Sequence, residues 1–411
     1  MLLALQQTKA GYVISTNIGA NISFSIVDLT NGSVNADFSW GGSDTDIPFA
    51  VDFCENGNYV AIVGYTLSAG GSNDTFPTTA NAYRKYNANP QGASDGGWDS
   101  FVMILNVTDT NNVVFQYSSF FGGNNSDGFT DAVFDESGNL YAVGVTYSND
   151  YPLKNAFQEE KGPNDLSLVL SIFSVEGELL LSSFAGYEQC SGAAVDVQRL
   201  PDGGHLVFIS GWGVLGNFTA VESFDQIGTD SEQQGFIQVV YVNADFTHAE
   251  VRLNSFFGGS SDEEIPGIAV LPNNSFVIVG STNSADFPLS NGAANNSLLH
   301  MFVTVIQCGS GLYAVSPSPT PSRTPSRTPS CTPSSSPSPN MPSSSPSPSV
   351  SLAPATCEAT DGCYRTSEST VVFKTGDDGK YTPAQTMYAG TSGTGTAQPT
   401  YYLSVSYIAL E

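Results

Sequence analysis

The chain reads as all-β, a β-propeller of about five four-stranded blades, and three observations predict it. Phe120-Phe121-Gly122-Gly123 returns as Phe256-Phe257-Gly258-Gly259, with weaker copies at Ser39-Trp40-Gly41-Gly42 and Ser183-Phe184-Ala185-Gly186. Each copy is followed by Asp, Ser or Asn residues, an apolar strand, a turn such as Ser137-Gly138-Asn139, and a second apolar strand. No stretch has helical periodicity of useful length. A unit that recurs every few tens of residues marks a repeat architecture. Four-stranded units set around a ring bury their faces against one another, which is the propeller solution.

The elements follow in order. The first repeat has strands at Leu2–Gln6, Tyr12–Thr16, Ile22–Leu29 and Val34–Trp40. The second has Pro48–Phe53, Tyr59–Thr66, Phe101–Asn106 and Val113–Phe121. The third has Phe129–Phe134, Leu140–Thr146, Leu166–Ser174 and Leu179–Phe184. The fourth has Ala193–Arg199, His205–Gly211, Phe236–Val242 and Ala249–Phe257. The fifth has Ile265–Leu271, Phe276–Thr282, Met301–Gln307 and a short Leu312–Val315. Runs such as Phe101-Val102-Met103-Ile104-Leu105 have the pattern of strands buried on both faces. Long connections fall between second and third strands, Leu67–Trp98 being the longest, so they should gather on one side of the disc, where binding sits. A sandwich has no need of the Gly-Gly signature, and a solenoid needs shorter, more even repeats. No Gly-Gly step precedes Leu2, which leaves open a larger ring whose first part lies upstream.

Composition points outside the cell. Only 12% of the 411 residues are charged, and 12 Lys+Arg against 39 Asp+Glu give a formal charge of −27. Such a surface repels phosphate backbones and anionic lipid, so nucleic acid is excluded as a partner. No run approaches the roughly 18 apolar residues of a membrane span, and Met1–Leu5 is too short for a signal-peptide core. Asn-X-Ser/Thr sequons occur at Asn21, Asn31, Asn73, Asn106, Asn124, Asn217, Asn273 and Asn295, nearly all at expected turns or strand ends. Six cysteines, Cys54, Cys190, Cys308, Cys331, Cys357 and Cys363, include no CxxC pair, so zinc and redox readings are weak. Cys357 and Cys363 are close enough for a local disulfide loop, as an oxidising compartment permits.

The composition divides the chain into residues 1–315, the propeller; 316–355, a Ser/Pro/Thr-rich segment; and 356–411, a small or incomplete β-rich module. The middle segment is Ser, Pro and Thr almost throughout and has too few apolar side chains, Met341, Val350 and Leu352 among them, to build a core. At about 3.1 Å per residue in an extended polyproline-II form, about 38 such residues reach on the order of 100 Å. This is the composition of O-glycosylated stalks. A ligand for a proline-reading domain is the other reading, and it belongs inside cells.

No catalytic, cofactor-binding or metal residue is assigned. His205, His248 and His300 fall in or beside strands of different repeats, where surface or satisfied structural roles are expected; a fold by itself carries no function. There is no Gly-x-Ser-x-Gly elbow, HExxH helix or Walker loop. Gly211-Trp212-Gly213-Val214-Leu215-Gly216 fits a GxGxxG string but has no helix to receive a phosphate. A glycosidase needs two carboxylates about 5–9 Å apart, a distance that sequence does not supply. The acidic turns holding Asp44, Asp46, Asp127, Asp262, Glu263 and Glu264 could offer oxygens to calcium. Asp, Asn and Ser also cap tight turns, which explains the same residues without a metal. Of the tryptophans, Trp40, Trp98 and Trp212, the first takes the strand position of Phe121 and Phe257 and is expected in the core. Trp98, just ahead of a strand, is expected to be packed rather than offered to a sugar.

The stretch Gly122-Gly123, Asp127, then Asp135-Glu136-Ser137-Gly138-Asn139-Leu140-Tyr141-Ala142-Val143-Gly144-Val145-Thr146 resembles the SBBP-type β-propeller repeat. An Asp-Phe-Pro step after the Gly-x-Thr belongs to the same pattern, with copies at Thr75-Phe76-Pro77, Asp150-Tyr151-Pro152 and Asp286-Phe287-Pro288. The resemblance covers Trp40 to about Gln307 and departs in the fourth repeat, where Gly211-Trp212-Gly213 stands for Gly-x-Thr and no Phe-Pro follows. It implies a propeller on exported or surface-attached proteins and transfers no catalytic residue. The functional expectation is a secreted or cell-surface, non-enzymatic recognition or scaffold protein binding glycan or protein from a stalk. The competing expectation is an exported carbohydrate-active enzyme, a glycosidase or lyase, using the same disc.

Overall fold

The computed structural model describes residues 2–7, 12–17, 21–28, 34–308 and 363–371, except 56, 89–96, 111, 163–165, 187–189, 215–232, 272–274 and 288–299. Among the described residues, twenty strands make five four-stranded sheets, each paired antiparallel throughout. The first holds β1 (Leu2–Gln7), β2 (Tyr12–Asn17), β3 (Ile22–Asp28) and β4 (Val34–Trp40). The second holds β5 (Asp46–Phe53), β6 (Tyr59–Thr66), β7 (Asp99–Asn106) and β8 (Val114–Phe121). The third holds β9 (Asp127–Phe134), β10 (Leu140–Thr146), β11 (Ser167–Phe173) and β12 (Leu179–Phe184). The fourth holds β13 (Cys190–Arg199), β14 (His205–Val214), β15 (Gln233–Val242) and β16 (Ala249–Phe257). The fifth holds β17 (Glu263–Leu271), β18 (Ser275–Thr282), β19 (His300–Cys308) and β20 (Cys363–Val371).

Within each sheet the chain meanders in sequence order, as the repeat pattern predicts. The sequence placed the last outer strand at Leu312–Val315 and kept 356–411 apart. Leu312–Val315 lies outside the described residues, and Cys363–Val371 fills the outer position, with Cys308 opposite Cys363 in the backbone register. Cys357 and the 316–355 segment also lie outside the described residues.

The sheets stack face to face through their first strands: β1 on β5, β5 on β9, β9 on β13, and β13 on β17. Third strands such as Ser167–Phe173 are buried along their whole length, so they read as unbroken apolar runs instead of alternating ones. The core lies between sheets. Val63, Val102, Ile104 and Phe121 meet Phe129, Leu140, Val169 and Phe173 across one seam. Ile172 and Leu170 meet Val207, Ile209 and Phe236 across the next, and Phe208, Val239 and Phe257 meet Phe276, Ile278 and Phe302 across the last. Each such side chain contributes about 1.5–3 kcal/mol on burial, and a single sheet has no other apolar surface to use.

One glycine position holds the register. Gly64, Gly144, Gly211 and Gly280 sit on the second strands where the first strand bulges, against the carbonyls of Ile47, Gly128, Ser191 and Glu264, with no room for a Cβ. This is the glycine of the Gly-x-Thr step, required by the close approach of backbone.

Candidate functional site

First strands start, second strands end, third strands start and fourth strands end on one face of the disc. The Gly-Gly turns and the long 67–98 and 147–166 connections therefore share that face. The opposite face has tight turns closed by backbone bonds, among them Cys54–Tyr59, Asp135–Asn139, Ser174–Glu178, Leu200–Gly204 and Asn243–His248. The sequence placed the insertions on one side, and they are there.

The same carboxylate network supports three turns of this loop face. In the third blade Asp127 accepts from Thr146 Oγ1, from Ser148 Oγ at 2.9 Å and from the Gly123 N–H at 2.6 Å. In the second, Asp46 accepts from Thr66 Oγ1, Ser68 Oγ at 3.0 Å and the Gly42 N–H at 2.8 Å. In the fifth, Glu263 accepts from Thr282 Oγ1 at 2.6 Å, from Ser284 Oγ, and from the Gly259 N–H at 3.0 Å. The second glycine of each Gly-Gly pair lies on that serine, so a Cβ there would meet Ser68, Ser148 or Ser284. Burial raises all three carboxyls above their ordinary values despite the donors, Asp127 to about 7. The fourth blade has Cys190 opposite Gly213 where the third has Asp127 opposite Thr146, so the sequence departure there removes this network.

Of the turn residues weighed as calcium ligands, Asp46, Asp127 and Glu263 are engaged by the backbone and hydroxyls around their own turns. Asp46, Asp127 and Glu263 stand in equivalent places in separate blades instead of converging. Asp262 accepts from the Gln233 N–H at 3.2 Å, Asp44 from the Thr45 N–H at 2.7 Å, and Glu264 is exposed. Among the described residues, no group of three or more His, Cys, Asp or Glu is arranged to hold a metal.

The Asp-aromatic-Pro step turns the long connections into straps. Asp74, Asp150 and Asp286 accept from the backbone N–H groups of Ser43, Asn124 and Ser260 at 3.1, 2.9 and 2.8 Å. The aromatic that follows is a buried pin: Phe76 on Phe120, Tyr151 on Phe121, Phe287 on Phe302. Beyond the pin the chain runs along the outer edge of its own blade. Arg84 bridges Phe120 on β8, and Lys154 bridges Ser182 on β12, so these edges are not left bare. The straps then reach the next blade, Asn81 Nδ2 to the Glu176 carbonyl and Asn155 Nδ2 to the Phe246 carbonyl, both at 2.8 Å.

Four rings line the seam between the second and third blades on the loop face. Phe49 lies 5.6 Å from Tyr65, Tyr65 lies 4.8 Å from Trp98, and Trp98 lies 6.0 Å from Tyr147 between centroids. Tyr65, Trp98 and Tyr147 are half-buried, and Trp98 packs on Gly128 of β9. Phe49, the bulge residue of β5, is 40% exposed. Trp98, expected to be packed, is packed against Gly128, Tyr65 and Tyr147 and is half-buried. Tyr83 and Tyr86, on the strap, are 50% and 58% exposed. Trp40, half-buried, stacks on Phe38 at 5.3 Å and meets Phe115 edge-on. Trp212 is half-buried on β14.

The histidines stay apart. His248 is exposed, 3.8 Å from Glu250, and His300 lies at the start of β19. His205 corrects the expectation of a surface or satisfied histidine: it is buried, and neither ring nitrogen has a hydrogen-bond partner. Its Nε2 lies 3.5 Å from Asp135 Oδ2, and its ring is parallel to Phe246. Burial lowers its pKa, overriding the upward pull of Asp135 and Glu136.

Sheets of four antiparallel strands, packed blade on blade through their first strands, define a β-propeller. No protein-family model and no curated protein matches the chain. Solved structures similar to it include the RRP9 WD40 repeats, at 12% identity over 76% of this chain and 78% of that one, TM-score 0.32. A putative 6-phosphogluconolactonase from Bacteroides uniformis matches at 13% identity over 74% and 66%, TM-score 0.37. A lignostilbene dioxygenase from Pseudomonas brassicacearum matches at 12% over 74% and 60%, TM-score 0.35. These neighbours include enzymes and non-enzymes, and at such scores the fold rests on the strand order itself. Among the described residues no helix is long and apolar enough to cross a membrane.

Proposed function

We propose that this chain is a secreted or cell-surface recognition or scaffold protein of the SBBP repeat type. It is non-enzymatic, and it binds glycan or protein through its loop face while the 316–355 segment holds the disc away from an anchor. The observation that carries the reading is the row of rings from Tyr147 through Trp98 and Tyr65 to the exposed Phe49. Partly exposed aromatics with a polar surround offer a stacking surface to a sugar ring or an apolar side chain. The acidic turns beside it hold backbone N–H groups and hydroxyls, which gives their carboxylates an architectural role. Charge directs the choice of ligand toward neutral glycans or basic protein faces. Exposed Asn21 and Asn124 head sequons, as an exported protein uses them.

The test is a parallel screen of the purified chain against glycan arrays, immobilised extracellular proteins and chromogenic glycosides. Saturable binding without turnover supports the proposal. Turnover lost on a single carboxylate substitution supports the carbohydrate-active enzyme instead. Native protein found unglycosylated in a reducing compartment removes the location.

A further inference from the structure

The end blades of the disc are buried differently from those between them. Third strands of the second, third and fourth blades are buried on both faces, whereas burial alternates along the third strands of the first and fifth. In the first blade Ile22, Phe24 and Ile26 pack with Ile62 and Phe101 of the second. Its far face carries Ser23, Ser25, Asp37 and Ser39, with Ser25 Oγ donating to Asp37 Oδ1 at 2.8 Å. A polar outer face is what closes the end of a repeat stack. The fifth blade lacks one. Phe276, Ile278, Phe302 and Ile306 are buried with the fourth blade, and the alternate residues Val277, Val279, Val303 and Val305 are half-buried on the far side. Val277 stands opposite Val305 and Val279 opposite Val303, with Ala269 beside them on β17 and Met301 on β19. Among the described residues the stacking of first strands ends at β17, and no blade covers this apolar face.

We propose that residues 401–408 of this chain cover the open face of the fifth blade as an end cap. Leu403-Ser404-Val405-Ser406-Tyr407 repeats the alternation of Ile22-Ser23-Phe24-Ser25-Ile26, the strand whose apolar residues are buried on a neighbouring blade while its serines face outward. In a strand Tyr401, Leu403, Val405 and Tyr407 share one face, and Ser404 and Ser406 the other. The topology delivers the chain to the right place. At each blade boundary five residues carry it from a fourth strand to the next blade's first strand, and that crossing lies on the loop face. β20 runs toward the same face, with Val371 opposite Val303, so the residues after it start at the edge of the open sheet. Residues 372–400 are more than enough to cross it. A second copy seated there would cover the valines and leave the apolar side of 401–408 without a partner. The segment buries both apolar surfaces at once, which favours it as the occupant.

Two methionines give the reading. Met301 lies on the open face and Met103 is fully buried, and methionine oxidises where it is accessible. The full chain is exposed briefly to hydroxyl radicals and its peptides are measured by mass spectrometry. Relative to the parent, Leu403→Asp with Val405→Asp should label Met301 several-fold faster. Ser404→Asp with Ser406→Asp charges the other side of the same strand and should leave Met301 at the parent rate, with Met103 protected throughout. Equal Met301 labelling in the parent and in Leu403→Asp with Val405→Asp overturns the proposal, and so does a rise of equal size in both variants. Protection of Met301 that is lost on dilution of the parent assigns the face to a second copy and overturns it as well. Labelling of Met103 would mean that the charges unfold the disc, and Leu403→Ala with Val405→Ala, judged by the same criteria, then decides.

Discussion

Asn155 donates its Nδ2 to the Phe246 carbonyl at 2.8 Å, and both residues hold left-handed backbones, with φ of 51° and 59°. They are the only described non-glycine residues with positive φ. Such a backbone is tolerable for Asn and costly for Phe. Phe246 holds it because its ring lies on buried His205 while its carbonyl receives the strap of the neighbouring blade. Asn155 also reaches the Leu180 carbonyl at 3.2 Å, so one side chain ties two blades. Asn155→Ala loses both bonds and keeps the strained backbone, and should cost about 2 kcal/mol. Asn155→Gly loses the bonds alone and should cost less. Urea denaturation of both variants checks the order.

Tyr151 is the pin whose two contributions separate. Its ring is buried among Phe121 and Phe184, and its hydroxyl lies 3.0 Å from Ser171 Oγ. Tyr151→Phe should cost about 1 kcal/mol for the hydrogen bond. Tyr151→Ala should cost about 3–5 kcal/mol for the cavity and should expose the Lys154 strap to proteolysis. Limited digestion alongside denaturant melts measures both.

Glu263 tests what the acidic turns are for. If it holds backbone and hydroxyls, Glu263→Gln weakens three bonds and lowers Tm by the same amount with chelator or with calcium present. A Tm that drops in the parent chain on chelation, and in the variant no longer does, would make the turn a calcium site.

Asp99 is the clearest single reporter of pH-dependent stability. Burial pushes its carboxyl up to about 8, against the Ala88 N–H and the Arg84 guanidinium at 3.8 Å. With the folded value above the unfolded one, its stabilisation is greatest in acid and fades as pH rises from about 4 toward 8. Asp99→Asn strands Arg84 at every pH, so the difference between parent and variant at one pH is uninformative. The change in that difference is informative: from pH 4.5 to 8.5 it should move in the variant's favour by at least about 1.4 kcal/mol, the worth of one pKa unit.

The sheets were legible because buried middle strands are unbroken apolar runs and a Gly-Gly step recurs at three blade boundaries, with Ala185-Gly186 at the other. The Gly-x-Thr and Asp-Phe-Pro steps were visible as motifs, but their work was not. Thr146 and Ser148 look like ordinary strand-end residues until Asp127 folds between them. The setting of His205 is not visible in its local sequence, because it comes from Asp135 in the preceding blade and from the distant Phe246.

The central claim is that the loop face is the binding face and that its aromatic row does the binding. Once the screen yields a ligand, its Kd should be measured for the parent chain, for Phe49→Ala, and for a control variant on the turn face, His248→Ala. Phe49→Ala should weaken binding at least tenfold, about 1.4 kcal/mol, with an unchanged melting curve and an unaffected control. Full affinity in Phe49→Ala, with affinity lost instead in His248→Ala, would place recognition on the opposite face.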